Sequence, residues 1–152
     1  MMKAYNDREL IASNSQLEEK LTAARSEWSE KVSALVEDLK NNEKLTETMA
    51  YGLAYRQMII EDMAKYKQAL YKRQSKYERD RASRYTQYMV DSDLKFNATE
   101  RGEQTTADLT ALKYQMNLLQ THIDYLADTV NVLSSLQFAI KNKITILTEE
   151  IM

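Results

Sequence analysis

Between Lys65 and Tyr88 the chain reads KYKQALYKRQSKYERDRASRYTQY, with eight Lys/Arg against two acids, Glu78 and Asp80. The segment therefore carries +6, while the remaining residues hold 13 basic against 21 acidic side chains, a net −8. Five of the ten tyrosines, Tyr66, Tyr71, Tyr77, Tyr85 and Tyr88, lie among those cations. Cations pair with phosphate and flat rings stack on unpaired bases, so the combination points to single-stranded nucleic acid.

Spacing sorts these residues onto a helix. Tyr66, Leu70, Arg73, Tyr77, Arg81, Arg84 and Tyr88 follow steps of three and four, one α-helical stripe. Lys65, Lys72, Lys76 and Arg79 form a second stripe beside it. The candidate single-strand-binding residues are accordingly Lys65, Lys72, Arg73, Lys76, Tyr77, Arg79, Arg81, Arg84, Tyr85 and Tyr88. No aliphatic residue larger than Ala82 occurs between Leu70 and Met89, so this part of the helix has little to bury. The competing reading is a solvated charged helix whose tyrosines pack sideways on a neighbour.

Other chemistry is missing from the chain. There is no cysteine, which excludes disulfides and thiolate reactions. The single histidine, His122, has no second His to complete a metal set. Phosphate-cradling glycine loops, a nucleophile elbow and HExxH are absent, and the pairs Asp91/Asp93 and Glu149/Glu150 read as solvated. The expectation is a protein that is not an enzyme and uses no cofactor or metal. The start, MMKAYNDREL, lacks an apolar stretch of signal-peptide length, and no run approaches 18 apolar residues. A soluble, cytoplasmic protein with no membrane contact is expected.

The elements that must position the basic stretch are helices. In 152 residues there are no prolines and two glycines, Gly52 and Gly102, too little punctuation for a sheet protein with many turns. The fold class expected is all-α, with long helices in a hairpin or bundle. Residues 1–42 read as an N-terminal extension with an amphipathic helix. Residues 43–152 read as a helical domain for single-strand binding and oligomerisation. Ser15-Gln16-Leu17-Glu18 fits a capping box, and residues 1–14 lack periodicity. Leu17, Leu21, Ala24, Trp28, Val32, Leu35 and Leu39 then keep helical spacing until Asn41-Asn42. A second helix, with Leu45, Met49, Leu53, Arg56, Ile60 and Met63 on one face, leads into the basic stretch. Residues 91–104 read as a loop, and Thr105 and Asp108 as caps of a third helix.

That third helix carries a heptad pattern. Leu109, Met116, Ile123, Val130, Gln137, Ile144 and Ile151 recur every seven residues at position a. Leu112, Leu119, Leu126, Leu133, Ile140 and Leu147 occupy d, so twelve of thirteen a/d sites are apolar. Leu118, Tyr125, Val132, Ala139 and Ile146 add a series at c. An apolar arc this broad can touch two neighbours, which predicts a homo-oligomer larger than a dimer. Its seam would be Leu112, Met116, Leu119, Ile123, Leu126, Val130, Leu133, Ile140, Ile144 and Leu147.

The order of segments resembles the UvsY family of T-even-type phage recombination mediators. The similarity is carried by LVEDLK (35–40), KLTETMAYGLAYRQM (44–58), the basic segment 67–88 and FAIKNKI (138–144), within roughly residues 35–145. The resemblance implies an all-helical protein forming a ring-like oligomer through its C-terminal region. It also implies binding of single-stranded DNA and help in loading a RecA-like recombinase onto DNA coated by single-strand-binding protein. If phage-encoded, the chain would act in the host cytoplasm. In the family a short basic motif ahead of tyrosines carries DNA binding, which corresponds to Arg79, Arg81 and Arg84 before Tyr85 and Tyr88. This sequence departs in its additional N-terminal helix, about residues 1–34, in its arginine-rich motif and in lacking an adjacent Tyr-Tyr pair. Two other readings stay open: a structural or scaffolding coiled-coil oligomer with no nucleic-acid role, and a module whose basic helix recognises an acidic protein.

Overall fold

The computed structural model describes residues 8–90 and 97–151. They form four helices, α1 (Arg8–Asp38), α2 (Leu45–Val90), α3 (Ala98–Asp108) and α4 (Thr110–Ile151), with a 3-10 turn at Asn42–Lys44 before α2. The chain is all-α, and no strand occurs among the described residues. Two compact units arise among the described residues: one holds 8–20, 67–90 and 97–121, the other 21–66 and 122–151.

In the second unit, α1, α2 and α4 enclose a core of Trp28, Leu35, Leu45, Ile59, Leu126, Leu133, Leu136 and Ile140. The inward stripe of α1 is the one its spacing predicts, with Leu21, Trp28 and Leu35 buried. Trp28 meets the Tyr55 ring edge-on at 5.7 Å, and Lys31 lies 4.9 Å from the indole. The 42/43 boundary falls in the turn between α1 and α2, where Asn41 Oδ1 accepts from the Glu43 N–H at 3.0 Å. Residues from both sides of that turn share the core.

The heptad seam of α4 is used within the chain. Leu112, Met116, Leu119, Ile123, Leu126, Leu133 and Ile140 are buried, and Val130, Ile144 and Leu147 are half-buried. The arc is wide because α4 meets both α1 and α2. Tyr125 donates its hydroxyl to the Arg25 carbonyl of α1 at 3.0 Å, and Gln137 Nε2 donates to the Met49 carbonyl of α2 at 3.1 Å. One residue set thus fills two intramolecular contacts, the demand that spacing alone ascribed to other subunits.

Three local expectations change. Helix α1 already includes Arg8, so Ser15 is an interior helical residue and not a cap. The stripe continues backward through half-buried Leu10 and buried Asn14, whose amide donates to the Ala111 carbonyl at 2.8 Å. A polar residue in a core position had hidden the periodicity. In α2 the inward positions are Leu45, Thr48, Gly52 and Ile59, while Leu53 is 54% exposed. Two of these inward residues, Thr48 and Gly52, are polar or small, so the apolar spacing pointed one residue away. A Cβ on Gly52 would meet Gln137 Nε2, so alanine there would displace the end of that side chain from its bond to the Met49 carbonyl, against the roughly 1 kcal/mol by which alanine otherwise favours a helix.

The third change concerns the stretch after α2. Residues 91–96 lie outside the described residues, but 98–104 are helical. Asn97 caps α3, its Oδ1 accepting from the Glu100 N–H at 2.8 Å. Thr105 and Asp108 therefore sit inside α3, and Thr105 bonds back to the Arg101 carbonyl at 2.7 Å. The helical path breaks at Leu109 before α4 begins.

His122 is 1% exposed, and its Nδ1 lies 3.2 Å from Arg25 Nη1. A guanidinium only donates, so Nδ1 accepts and the imidazole is neutral. The Tyr66 ring contacts it edge-on at 4.7 Å. Burial first, then the Arg25 charge, lower the pKa from 6.5 to about 4, against an opposing pull from Asp62. Above pH 6.5 neither state binds this proton. Between 6.5 and about 4 the unfolded chain takes up a proton that the folded chain refuses, so stability falls as pH falls and levels off below 4. The slope approaches about 1.4 kcal/mol per pH unit, or about 2 kcal/mol from pH 7 to 5. Urea unfolding should show His122→Gln losing less stability than the parent over that range; equal losses would show that His122 is not the group responsible.

Candidate nucleic-acid interface

The first unit packs the basic half of α2 against the start of α4 and against α3. A long helix with one inward stripe must turn some of its basic and aromatic residues to its neighbours, and the first stripe is the one turned in. Arg73 is half-buried and donates from Nε to Gln115 Oε1 at 3.0 Å. Tyr77 is half-buried, with Lys113 5.6 Å from its ring centroid. Tyr85 is half-buried with the Arg101 guanidinium 5.5 Å from its ring. Arg84 is half-buried and donates to Gln87 at 3.3 Å.

Tyr88 is 4% exposed and donates its hydroxyl to the Asp108 carboxylate, which also accepts from Gln104 at 3.2 Å. Burial, reinforced by the Asp108 bond, raises the phenol pKa, so the ring stays neutral and inward. Tyr88 is a core residue here, not a surface for stacking. This is the sideways packing of tyrosines that a charged helix without aliphatic residues requires: the phenol supplies apolar area and a polar tip together.

The second stripe faces water. Lys72, Lys76 and Arg79 are exposed, as is Lys65 farther back on the same helix, in the other unit, whereas Arg81 is exposed on another face, beside Tyr85 and α3. Lys76 forms an ion pair with Asp80 at 2.9 Å, the helical spacing that an exposed surface tolerates at little net gain. Of the ten sequence candidates, the structure thus groups Lys72, Lys76 and Arg79 in one outward row and withdraws Tyr88.

One aromatic residue belongs with that row and was absent from the candidate set. Tyr71 is 69% exposed. The signal was present in the spacing, because Tyr71, Ser75 and Arg79 lie four residues apart and therefore share a face. Beside it lies a groove of about 780 Å³, whose lining includes Tyr71, Lys72, Lys76 and Arg79 from α2 and Leu10 and Ser13 from α1.

Among the described residues no group of three or more His, Cys, Asp or Glu is placed to hold a metal ion, and no helix is long and apolar enough to cross a membrane. Comparison with family models, with curated proteins and with solved structures returns no match.

Proposed function

We propose that this protein is a single-stranded-DNA-binding recombination mediator that helps load a RecA-like recombinase onto DNA coated by single-strand-binding protein. The observation that carries the DNA half is the outward row Lys72, Lys76 and Arg79 with Tyr71 beside it, in a chain whose other residues sum to a negative charge. Such a row meets the regularly spaced phosphates of a flexible strand and does not require a fixed base sequence. The recombinase half rests on the resemblance of segments 35–40, 44–58, 67–88 and 138–144 to the UvsY mediators.

The mediator acts as a homo-oligomer in this reading, with a second copy of the chain on the outer face of α4. The seam itself is occupied within the chain, so the contact uses Val132, Phe138 and Ile146, which are 46%, 66% and 55% exposed. From Thr129 to Ile140 the helix carries no charged residue. Around Val132 and Phe138 this helix offers a second copy of the chain no like charge, and a head-to-tail contact there can close a ring. Several protomers on one strand also multiply the few phosphate contacts that each offers.

Light scattering with and without labelled oligo-dT tests both parts. A mass above that of a dimer is expected, with the labelled strand co-migrating and released by salt. Phe138→Asp should lower the mass while leaving the melting temperature near that of the parent. A parent that runs as a compact monomer would remove the oligomer, and one that ignores oligo-dT would remove the DNA reading.

A further inference from the structure

We propose that the groove flanked by α1 and α2 is a pocket for a single nucleobase, and that the N-terminal helix supplies one of its walls. The inference rests on the single-strand reading and assigns it a second kind of contact. Cations mark the α2 rim, at Lys72, Lys76 and Arg79, but Leu10 and the 1%-exposed Leu112 also line the groove, with Tyr71 beside them. A phosphate alone would meet the cations of the rim and leave Leu10, Leu112 and the Tyr71 ring with no apolar partner. A base has a flat apolar face for a leucine-lined floor and a phenol ring, while its own phosphate reaches the rim.

The polar groups suit the edge of a base. Arg73 and Gln115, locked together by the 3.0 Å bond, line the groove, as do the hydroxyls of Ser13 and Ser75. None of the ten described lining residues is acidic, so nothing there repels the strand. The volume of about 780 Å³ lies within the roughly 300–1,000 Å³ of small-molecule pockets. The groove thereby gives α1 a role that its distance in sequence from the basic segment concealed.

Anisotropy of labelled oligo-dT and of an abasic strand of equal length, each over a salt series, separates bases from phosphates. The parent should bind the dT strand about ten- to a hundredfold more tightly, the range that base–aromatic stacking supports. Tyr71→Ala, at an exposed position, and Ser13→Trp, which fills the groove from the α1 side, should each reduce that preference to near unity. Both should leave abasic binding and its salt slope unchanged. Equal parental affinity for the two strands, or a preference that survives both substitutions, would overturn the pocket while leaving phosphate-based binding intact. A parent that binds neither strand would overturn the single-strand reading and the pocket with it.

Discussion

Leu126→Asp or Leu133→Asp should unfold the protein before any effect on association can be read. Both side chains are 0% exposed and lie in the cluster with Trp28, Leu35 and Ile59. Losing a buried leucine costs about 2–5 kcal/mol through lost transfer energy and the cavity left behind. An aspartate adds a buried carboxylate, which costs several kcal/mol more or forces the group to protonate. Total stability of a domain this size is typically about 5–15 kcal/mol, so one substitution removes much of it. Far-UV circular dichroism should show lost helicity at 25 °C, or a midpoint lower by about 10–20 °C. Phe138→Asp is the matched control, since it adds the same charge at a side chain 66% exposed. A Leu126→Asp protein with parental helicity and melting but a smaller mass in light scattering would mean that the seam joins subunits after all.

The same contrast shows how far the sequence could be read. The face of α4 was legible because Leu112, Leu119, Leu126, Leu133 and Ile140 repeat without interruption, and a heptad keeps one face inward wherever its partners come from. The origin of those partners was not legible. A wide apolar arc is equally satisfied by two helices of the same chain or by two subunits, and nothing in local spacing separates the cases. The start of α1 was hidden by Asn14, a core position whose amide nitrogen donates to the distant Ala111 carbonyl. The register of α2 was displaced because Thr48 and Gly52 face inward, where close approach of Gln137 matters more than apolar area.

At the interface, the charges were easier to place than the rings. Lysine and arginine heads must reach water or a partner, so a row of them on one face with little to bury stays outside. Tyrosine obeys no such rule. It serves a core and a stacking surface equally well, and only the neighbours contributed by α3 and α4 decide which. Tyr88 meets Asp108 and is drawn inward, while Tyr71, on the same helix, stays 69% exposed.

The triple change Lys72→Ala, Lys76→Ala, Arg79→Ala should therefore produce the largest loss of binding with the least structural disturbance. All three side chains are exposed, and alanine favours helix at least as well as lysine or arginine. The ion pair Lys76–Asp80, lost with them, is a surface contact of small value. Each phosphate contact on a single strand contributes about 0.7 to the slope of log affinity against log salt, so three lost contacts should flatten it by about 2. At 0.1 M salt that corresponds to roughly a hundredfold weaker binding of oligo-dT, with parent and variant converging toward 1 M. Arg81→Ala should remove about one further contact, whereas Tyr77→Ala, beneath Lys113 and half-buried, should lower the melting temperature more than the affinity. The comparison is made by anisotropy over a salt series, with helicity checked alongside. A triple variant that keeps the parental slope and affinity would place the phosphate contacts off this face of α2.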